Sequence, residues 1–228
     1  MRAWPGETGK ESKTAIARAF CARISRSGAV FDLMDTTPGV YLHHRSPLGE
    51  FQLASDSVIP TFRKQKHIKL ILDEIPGELE TFNSISYTIG GMMVFPGNRV
   101  DRKMTINGAR GFHPRIKDRF DFTIECIRRR YLNERSPLSD TLARYADYFR
   151  LFGDFRGYVE FFLLQELVTD DCSAVKFFSP FEDFSSSPVP ASMAAYLDYR
   201  KLAVGFIEAR NQRIYTWWTI HRAGEVQR

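Results

Sequence analysis

The spacing of apolar residues changes part-way along this chain, and that change is the strongest constraint on its fold. Up to Phe95 the apolar residues fall mostly in short runs separated by Pro and Gly, whereas from Pro114 onward they recur every three or four residues. Short runs between turns are typical of strands, and the second spacing is typical of helices. Strands followed by helices predict an α+β fold.

Three short runs in the first part predict an N-terminal antiparallel β-meander. The runs are Ala29–Met34, Val40–His43 and Glu50–Ala54, and turn-forming residues separate them. The best single strand candidate is Ile85–Phe95, which Gly90-Gly91 interrupts. Glycines inside a strand indicate a bulge or a close approach of another backbone.

The helical spacing predicts that the meander packs against a mainly helical C-terminal half. With 228 residues and 43% hydrophobic residues, the chain is long and apolar enough for one sizeable core. We therefore predict a flexible tail over residues 1–12 and a single globular domain over residues 13–228. The predicted helices are Lys13–Ser25, Pro60–Ile75, Pro114–Leu132, Leu138–Phe152, Phe155–Leu167 and Ala191–Ile214, and a short strand is predicted for Ala174–Phe178.

Cysteine and apolar content argue against several classes of protein. Cys21, Cys126 and Cys172 are far apart and form no C-x-x-C pair, which disfavours a disulfide framework and a zinc site. No apolar run reaches the roughly 18–20 residues that span a bilayer, and no signal peptide is evident. The sequence thus predicts a cytoplasmic protein with no metal, no cofactor and no membrane partner.

The positive charge of the chain is concentrated in one segment. The formal net charge is +5, and residues 99–130 contain ten Lys or Arg against four Asp or Glu. A local excess of this kind favours an anionic partner. We therefore predict that a binding site for such a partner lies in residues 99–130.

Within the basic segment, a glycine-bearing stretch from Thr105 to Pro114 leads into a predicted helix. Glycines let a backbone approach a ligand, and a helix N-terminus presents free N–H groups that bind anions. The residues predicted to bind a phosphate-bearing ligand, nucleic acid included, are Gly108, Arg110, Gly111, His113, Arg115 and Arg119. The competing interpretation is structural, since arginines beside an apolar face often cover the core and pair with nearby acids.

Two other functions remain open at the level of the sequence. An enzyme could use His113 as an acid or base with Asp101, Asp118 or Asp121 as its carboxylate partner. Alternatively, Trp217-Trp218 could belong to a surface for a protein partner or for a homo-oligomer, although the pair could also cover the core or stack on a base. Neither motif is specific enough to name a reaction or a partner.

Long blocks of the sequence resemble a bacterial family of uncharacterised proteins, a domain of unknown function, from about Gly28 to Arg213. The blocks are GGMMVFPGNRVD, MTINGARGFHPRIKDRFDFTIECIRRRYL, SPLSDTLARYADYFRLFGDFRGYVEFFLLQELV and VKFF. The resemblance implies a bacterial cytosolic protein. It implies no activity, substrate or catalytic residue.

Overall fold

A computed structural model describes residues 30–32, 42–46 and 49–223, and in these ranges the chain forms a four-stranded antiparallel sheet beside a set of helices. The strands follow one another in the sheet in the order of the chain. They are β1 (Val30–Asp32), β2 (Leu42–Ser46), β3 (Gly49–Ser57) and β4 (Met92–Pro96). The α+β class and the N-terminal meander are confirmed, whereas the predicted tail and the helix Lys13–Ser25 lie outside the described residues.

The alternation of side chains along β3 explains which face of the sheet meets the core. Phe51 and Leu53 are buried, and Glu50 and Gln52 between them are exposed, as the two-residue period of a strand requires. All five residues of β4 are buried, because the helices cover it. Strand β4 is therefore the edge through which the sheet joins the helical half.

The described part of the chain contains eight helices. They are α1 (Lys69–Asp73), α2 (Pro76–Ser86), α3 (Ile106–Phe112), α4 (Phe120–Tyr131), α5 (Ser139–Ala143), α6 (Ala146–Arg150), α7 (Phe155–Phe162) and α8 (Met193–Ala223). Short 3-10 turns lie at Lys66–Ile68, Ile89–Gly91 and Gln165–Leu167.

Several predicted boundaries are wrong. Pro76 opens α2 instead of ending the preceding helix, because a proline has no N–H and fits the first turn, where that donor is not needed. The predicted strand Ile85–Phe95 is reduced to β4, and Ala174–Phe178 contributes only an isolated bridge between Val168 and Val175. The predicted helix Leu138–Phe152 is divided into α5 and α6.

Helix α8 packs directly on the backbone at Gly90. A Cβ at this position would lie 2.2 Å from the carbonyl oxygen of Ile207, so no side chain fits there. The Gly90 N–H donates to Asn211 Oδ1 at 2.6 Å. Of the two interpretations of Gly90-Gly91, a bulge or the close approach of another backbone, the close approach is confirmed.

Helix α4 lies at the centre of the fold. Its residues from Phe120 to Ile127 are all buried, including the polar residues Asp121, Thr123 and Glu125. At 100° per residue, Asp121 and Glu125 fall opposite the apolar face of this helix, yet their side of the helix is buried as well. Other parts of the chain cover it, and the carboxylates are used inside the protein.

Candidate functional site

The glycine-bearing stretch forms a helix of its own rather than a loop. Residues Ile106–Phe112 form α3, and Thr105 caps it, because Thr105 Oγ1 accepts a hydrogen bond from Gly108 N at 3.2 Å. The next helix begins at Phe120 and not at Pro114. Lys117 and Asp118 have φ values of 46° and 68°, which a right-handed helix cannot include. The predicted helix start at Pro114 is therefore wrong.

Arg110 faces the core, where its guanidinium is held by four groups. Its Nη1 lies 2.7 Å from Asp118 Oδ1, and its Nη2 donates to the carbonyl oxygens of Val58 and Asp118 at 2.7 and 2.5 Å. Its Nε donates to Thr123 Oγ1 at 3.3 Å. Burial lowers the pKa of Arg110, and the charge of Asp118 opposes that shift. This guanidinium is a structural group.

Arg119 is also buried and forms a bidentate ion pair with Asp121. Its Nε donates to Asp121 Oδ1 at 2.8 Å, and its Nη2 donates to Asp121 Oδ2 at 2.5 Å. Its guanidinium also lies 4.5 Å from the ring centre of Phe122 and 4.9 Å from that of Tyr199. Burial lowers the pKa of Arg119, but the charge and hydrogen bonds of Asp121 outweigh burial, so the net pKa is raised.

The remaining buried acid of the segment, Glu125, pairs with two arginines of the last turn of α4. Arg128 and Arg129 each donate to it from Nε at 2.7 Å. The carboxylates of Asp118, Asp121 and Glu125 thus pair with Arg110, Arg119, Arg128 and Arg129, and Glu134 Oε2 lies 3.9 Å from Arg128 Nη2. Four of the ten cations of the basic segment are used internally.

The other six cations of the segment make no ion pair within the part of the chain that the structure describes. Arg130 lies apart from the others, with its guanidinium 5.1 Å from the ring centre of Phe149. The remaining five flank α3 on the two adjoining loops. Arg99, Arg102 and Lys103 precede α3 and form its N-terminal rim; Arg115 and Lys117 follow α3 and form its C-terminal rim.

Between the two rims, α3 presents a surface on which two exposed apolar side chains adjoin two glycines. Met104 and Phe112 are 51% and 76% exposed, whereas Ile106 and Arg110 on the other side are buried. A Cβ placed on Gly108 would lie 3.4 Å from Met104 Cβ, which shows that these two positions are neighbours on the surface. We call Met104, Gly108, Gly111 and Phe112 the α3 face.

Both rims are held in place by the surrounding helices. Arg144 Nη2 donates to the Met104 carbonyl oxygen at 2.8 Å, and Tyr145 Oη donates to that of Asn98 at 2.8 Å. On the other side, Asp118 N donates to the Arg110 carbonyl oxygen at 3.0 Å, and Ile116 is fully buried. The rim cations therefore project from fixed backbone.

His113 lies at the C-terminal end of α3, beside the α3 face. Its Nδ1 accepts a hydrogen bond from Arg115 N at 3.2 Å. Partial burial lowers the pKa of His113, and the charge of Arg115 lowers it further. Asp118 and Asp121 are engaged by arginines, and no described acid bonds to His113. The arrangement provides no carboxylate partner for an acid–base pair.

Trp217 and Trp218 are half-buried near the end of α8. Trp217 and Ile220 line an open groove of about 560 Å³ together with Leu163 and Ala209. Its lining also includes Glu166 and Arg213, which pair with each other. Within the described ranges, no group of three His, Cys, Asp or Glu side chains is arranged to hold a metal ion.

A comparison with known families places most of the described region in one of them. The model of a family of unknown function, DUF6994, matches residues 8–214. The chain belongs to this family. The match includes the sheet, α3 and most of α8, and it begins nearer the N-terminus than the resemblance noted from the sequence blocks. No curated protein and no solved structure matches this DUF6994 chain.

The structure of this DUF6994 protein adds residues that the sequence did not single out. Phe112 and the rim cations Arg102, Lys103 and Lys117 adjoin Gly108, Gly111, His113 and Arg115 along the chain, whereas Arg110 and Arg119 are buried. A signal for the exposed face exists in the sequence, since Met104, Gly108 and Phe112 follow one another at intervals of four. Among the described residues, no helix is both long enough and apolar enough to cross a membrane.

Proposed function

We propose that this DUF6994 protein binds a phosphate-bearing anionic partner, nucleic acid included, on the α3 face and its two rims. The supporting observation is that the cations of the basic segment fall into two groups, one paired with acids and one not. Three acids of the segment pair with four of its arginines in the interior and at its edge, and five cations without an ion pair among the described residues flank one exposed helix face. Three acids lie near these cations: Asp101 on the N-terminal rim, Asp118 next to Lys117, and Asp183, which interacts electrostatically with Arg115.

The spacing of the rims suits an extended polyanion. Helix α3 has seven residues, which span about 10 Å at 1.5 Å per residue. Phosphates along one nucleic-acid strand are spaced by about 3.4 Å of rise, so the face covers roughly three of them. Binding to exposed Lys and Arg releases counterions, and its affinity falls steeply with added salt.

The proposal retains four of the predicted site residues and changes the role of two. Gly108 and Gly111 keep the face open, and His113 and Arg115 lie at its C-terminal end. Arg110 lies on the buried side of α3, and Arg119 is buried against Asp121, Ser179 and Pro188. We do not assign them to the ligand.

The first prediction concerns the rims. The variant Arg102→Gln/Lys103→Gln/Arg115→Gln/Lys117→Gln is expected to bind a fluorescent 20-nucleotide DNA at least tenfold more weakly at 50 mM NaCl. The log–log salt slope is expected to decrease by about 3, because each lost phosphate contact reduces it by about 0.7–0.9. Fluorescence anisotropy at several salt concentrations measures both quantities.

A matched control compares two double variants, each of which removes two positive charges. Lys176→Gln/Lys201→Gln changes two exposed lysines outside the rims and is compared with Arg115→Gln/Lys117→Gln. The control is expected to keep wild-type affinity, and all variants are expected to unfold within about 0.5 kcal/mol of wild type. Equal losses in the control and rim variants would show non-specific attraction and contradict the proposed site.

The second prediction concerns the pH dependence of binding. The free protein favours neutral His113, because burial and Arg115 lower its pKa below 6.5. A bound phosphate nearby favours the imidazolium and raises the pKa, so binding takes up a proton. Affinity for DNA is therefore expected to increase about three- to tenfold between pH 7.5 and pH 5.5.

The variant His113→Gln tests this origin, since it cannot titrate. It is expected to lose most of the pH dependence while keeping the affinity that wild type has at pH 7.5. An NMR titration of the imidazole protons, with and without DNA, gives the two pKa values directly. An unchanged His113 pKa on DNA binding would place the ligand elsewhere.

A further inference from the structure

We infer that the α3 face selects single-stranded nucleic acid, with one base stacked on the ring of Phe112. This inference rests on the proposed function and adds the class of partner to it.

Phe112 is the one exposed phenylalanine among those whose side chains the structure describes. The others are buried or half-buried, and many lie in edge-to-face contact with one another, as Phe122 and Phe184 do. The ring of Phe112 makes no contact with another aromatic ring within the described residues and is 76% exposed. A chain that buries its other described phenylalanines leaves this ring in solvent between two groups of cations.

An exposed ring beside fixed cations matches what an unpaired strand offers. Every base has a π-face that can stack on an aromatic side chain, and the phosphates follow a basic surface. In a duplex the base faces are already stacked on their neighbours, and a single exposed ring has no access to them. Phe112 therefore adds affinity for an unpaired strand that it cannot add for a duplex.

The two glycines next to the ring leave room for the strand. Gly108 and Gly111 carry no side chain, so sugars and bases can approach the backbone of α3 beside Phe112. The acid nearest to this space is Asp118, whose Oδ1 would lie 3.8 Å from a Cβ on Gly111. Its charge is matched by Arg110 Nη1 at 2.7 Å, so it does not repel the strand as a free carboxylate would.

The partner is expected to be bound with little sequence preference. Stacking is tolerant of base identity, and the rims offer Lys and Arg side chains that track phosphates. An anionic membrane surface offers phosphates as well, but it has no bases to stack on the ring. The two partners therefore differ in their response to base removal.

The test uses the full chain and four fluorescent probes in anisotropy titrations at 50 mM NaCl. The probes are a mixed-sequence 12-nucleotide DNA, its duplex, a 12-residue abasic strand with the same phosphates, and inorganic polyphosphate. Wild type is expected to bind the mixed-sequence strand at least fivefold more tightly than the abasic strand and the duplex. Phe112→Ala is expected to lose about tenfold on the mixed-sequence strand and to leave the abasic strand unchanged.

Two further variants separate stacking from a general loss of apolar surface. Phe112→Trp is expected to keep or increase the affinity for the mixed-sequence strand, because the indole stacks at least as well. Tyr87→Ala removes another exposed aromatic side chain, 57% exposed at the end of α2, and is expected to bind like wild type. Thermal unfolding of each variant confirms that the fold is retained, since Phe112 contributes little to the core.

The outcomes distinguish this inference from the proposed function. Equal affinity for all polyanions, lost on neutralising the rims but insensitive to Phe112→Ala, overturns single-strand selection and leaves the proposed function standing. Phosphatidylglycerol vesicles are a fifth probe, measured by co-sedimentation, and tighter binding to them than to the mixed-sequence strand, lost in Phe112→Ala, overturns the inference in favour of a membrane surface. An absence of binding to every probe at low salt overturns both.

Discussion

Asp121→Asn is expected to lower the free energy of unfolding by about 3–5 kcal/mol, the largest effect that we predict for this protein. Asp121 and Arg119 are both essentially inaccessible to solvent. Removing one charge of a buried pair leaves the other uncompensated in a medium that solvates it poorly, and losses of this size are typical.

The contacts of the pair explain why the protein cannot relax around the change. Asp121 Oδ2 also accepts a hydrogen bond from Phe178 N at 2.8 Å. Arg119 donates to the Pro188 carbonyl oxygen at 3.1 Å and to Ser179 Oγ at 3.0 Å. The pair therefore joins the start of α4 to the segment between residues 178 and 188, and water has no route to the charge that is left.

Urea denaturation followed by circular dichroism measures this effect. Glu208→Gln is the control, because it neutralises an exposed acid on α8 with no described partner and is expected to stay within about 0.5 kcal/mol of wild type. The double variant Arg119→Met/Asp121→Leu removes both charges and is expected to be more stable than Asp121→Asn. A single variant that unfolds like wild type would show that the pair contributes nothing.

Arg210→Met is expected to lower the free energy of unfolding by about 3 kcal/mol or more. Arg210 is buried, and no described carboxylate pairs with it. Its Nη1 donates to the carbonyl oxygens of Gly90 and Met92 at 2.9 and 2.6 Å, and its Nε donates to that of Phe162 at 3.1 Å. Methionine fills a similar space but removes the donor to three buried carbonyl oxygens, a loss of about 1–3 kcal/mol for each acceptor that stays unsatisfied.

Removing the buried charge also removes its desolvation penalty, and this gain offsets part of the loss in stability. Burial lowers the pKa of Arg210 to about 10, so the group is still protonated at pH 7 and is held against an appreciable desolvation penalty. Methionine removes that penalty along with the hydrogen bonds. The net loss is therefore smaller than the sum of three charge-assisted bonds.

Two comparisons keep this prediction falsifiable. Lys201→Met changes an exposed cation on the same helix and is expected to alter stability by less than about 0.5 kcal/mol. Arg210→Lys keeps the charge but cannot reach three carbonyls with one ammonium, and it is expected to fall between wild type and Arg210→Met. If Arg210→Met matches wild type in stability, the carbonyls are satisfied without the guanidinium.

Much of the fold can be read from local pattern. The meander follows from short apolar runs between turns, and the helical half follows from three- and four-residue spacing. The close approach at Gly90 follows from the pair Gly90-Gly91, since glycines weaken a strand and often mark a point where another backbone comes close. Boundaries are less predictable: whether Pro76 ends one helix or begins the next depends on the direction in which the chain leaves α1.

The candidate site is less accessible to sequence reasoning, and the arginines show why. Arg110 and Arg115 have the same side chain and lie five residues apart, yet one is buried and the other exposed. Arg110 is fixed by Val58, which is 52 residues away in the chain, and Arg119 by Pro188, which is 69 residues away. No local pattern indicates partners at such separations.

The order of strands and helices, the concentration of positive charge between residues 99 and 130, and the glycines of α3 were determined by the sequence alone, because they depend on neighbours within a few positions. The tertiary structure decided which guanidiniums became interior ion pairs and which stayed in solvent around Phe112. That choice depends on the desolvation of a charge, and desolvation is set by everything that packs around it.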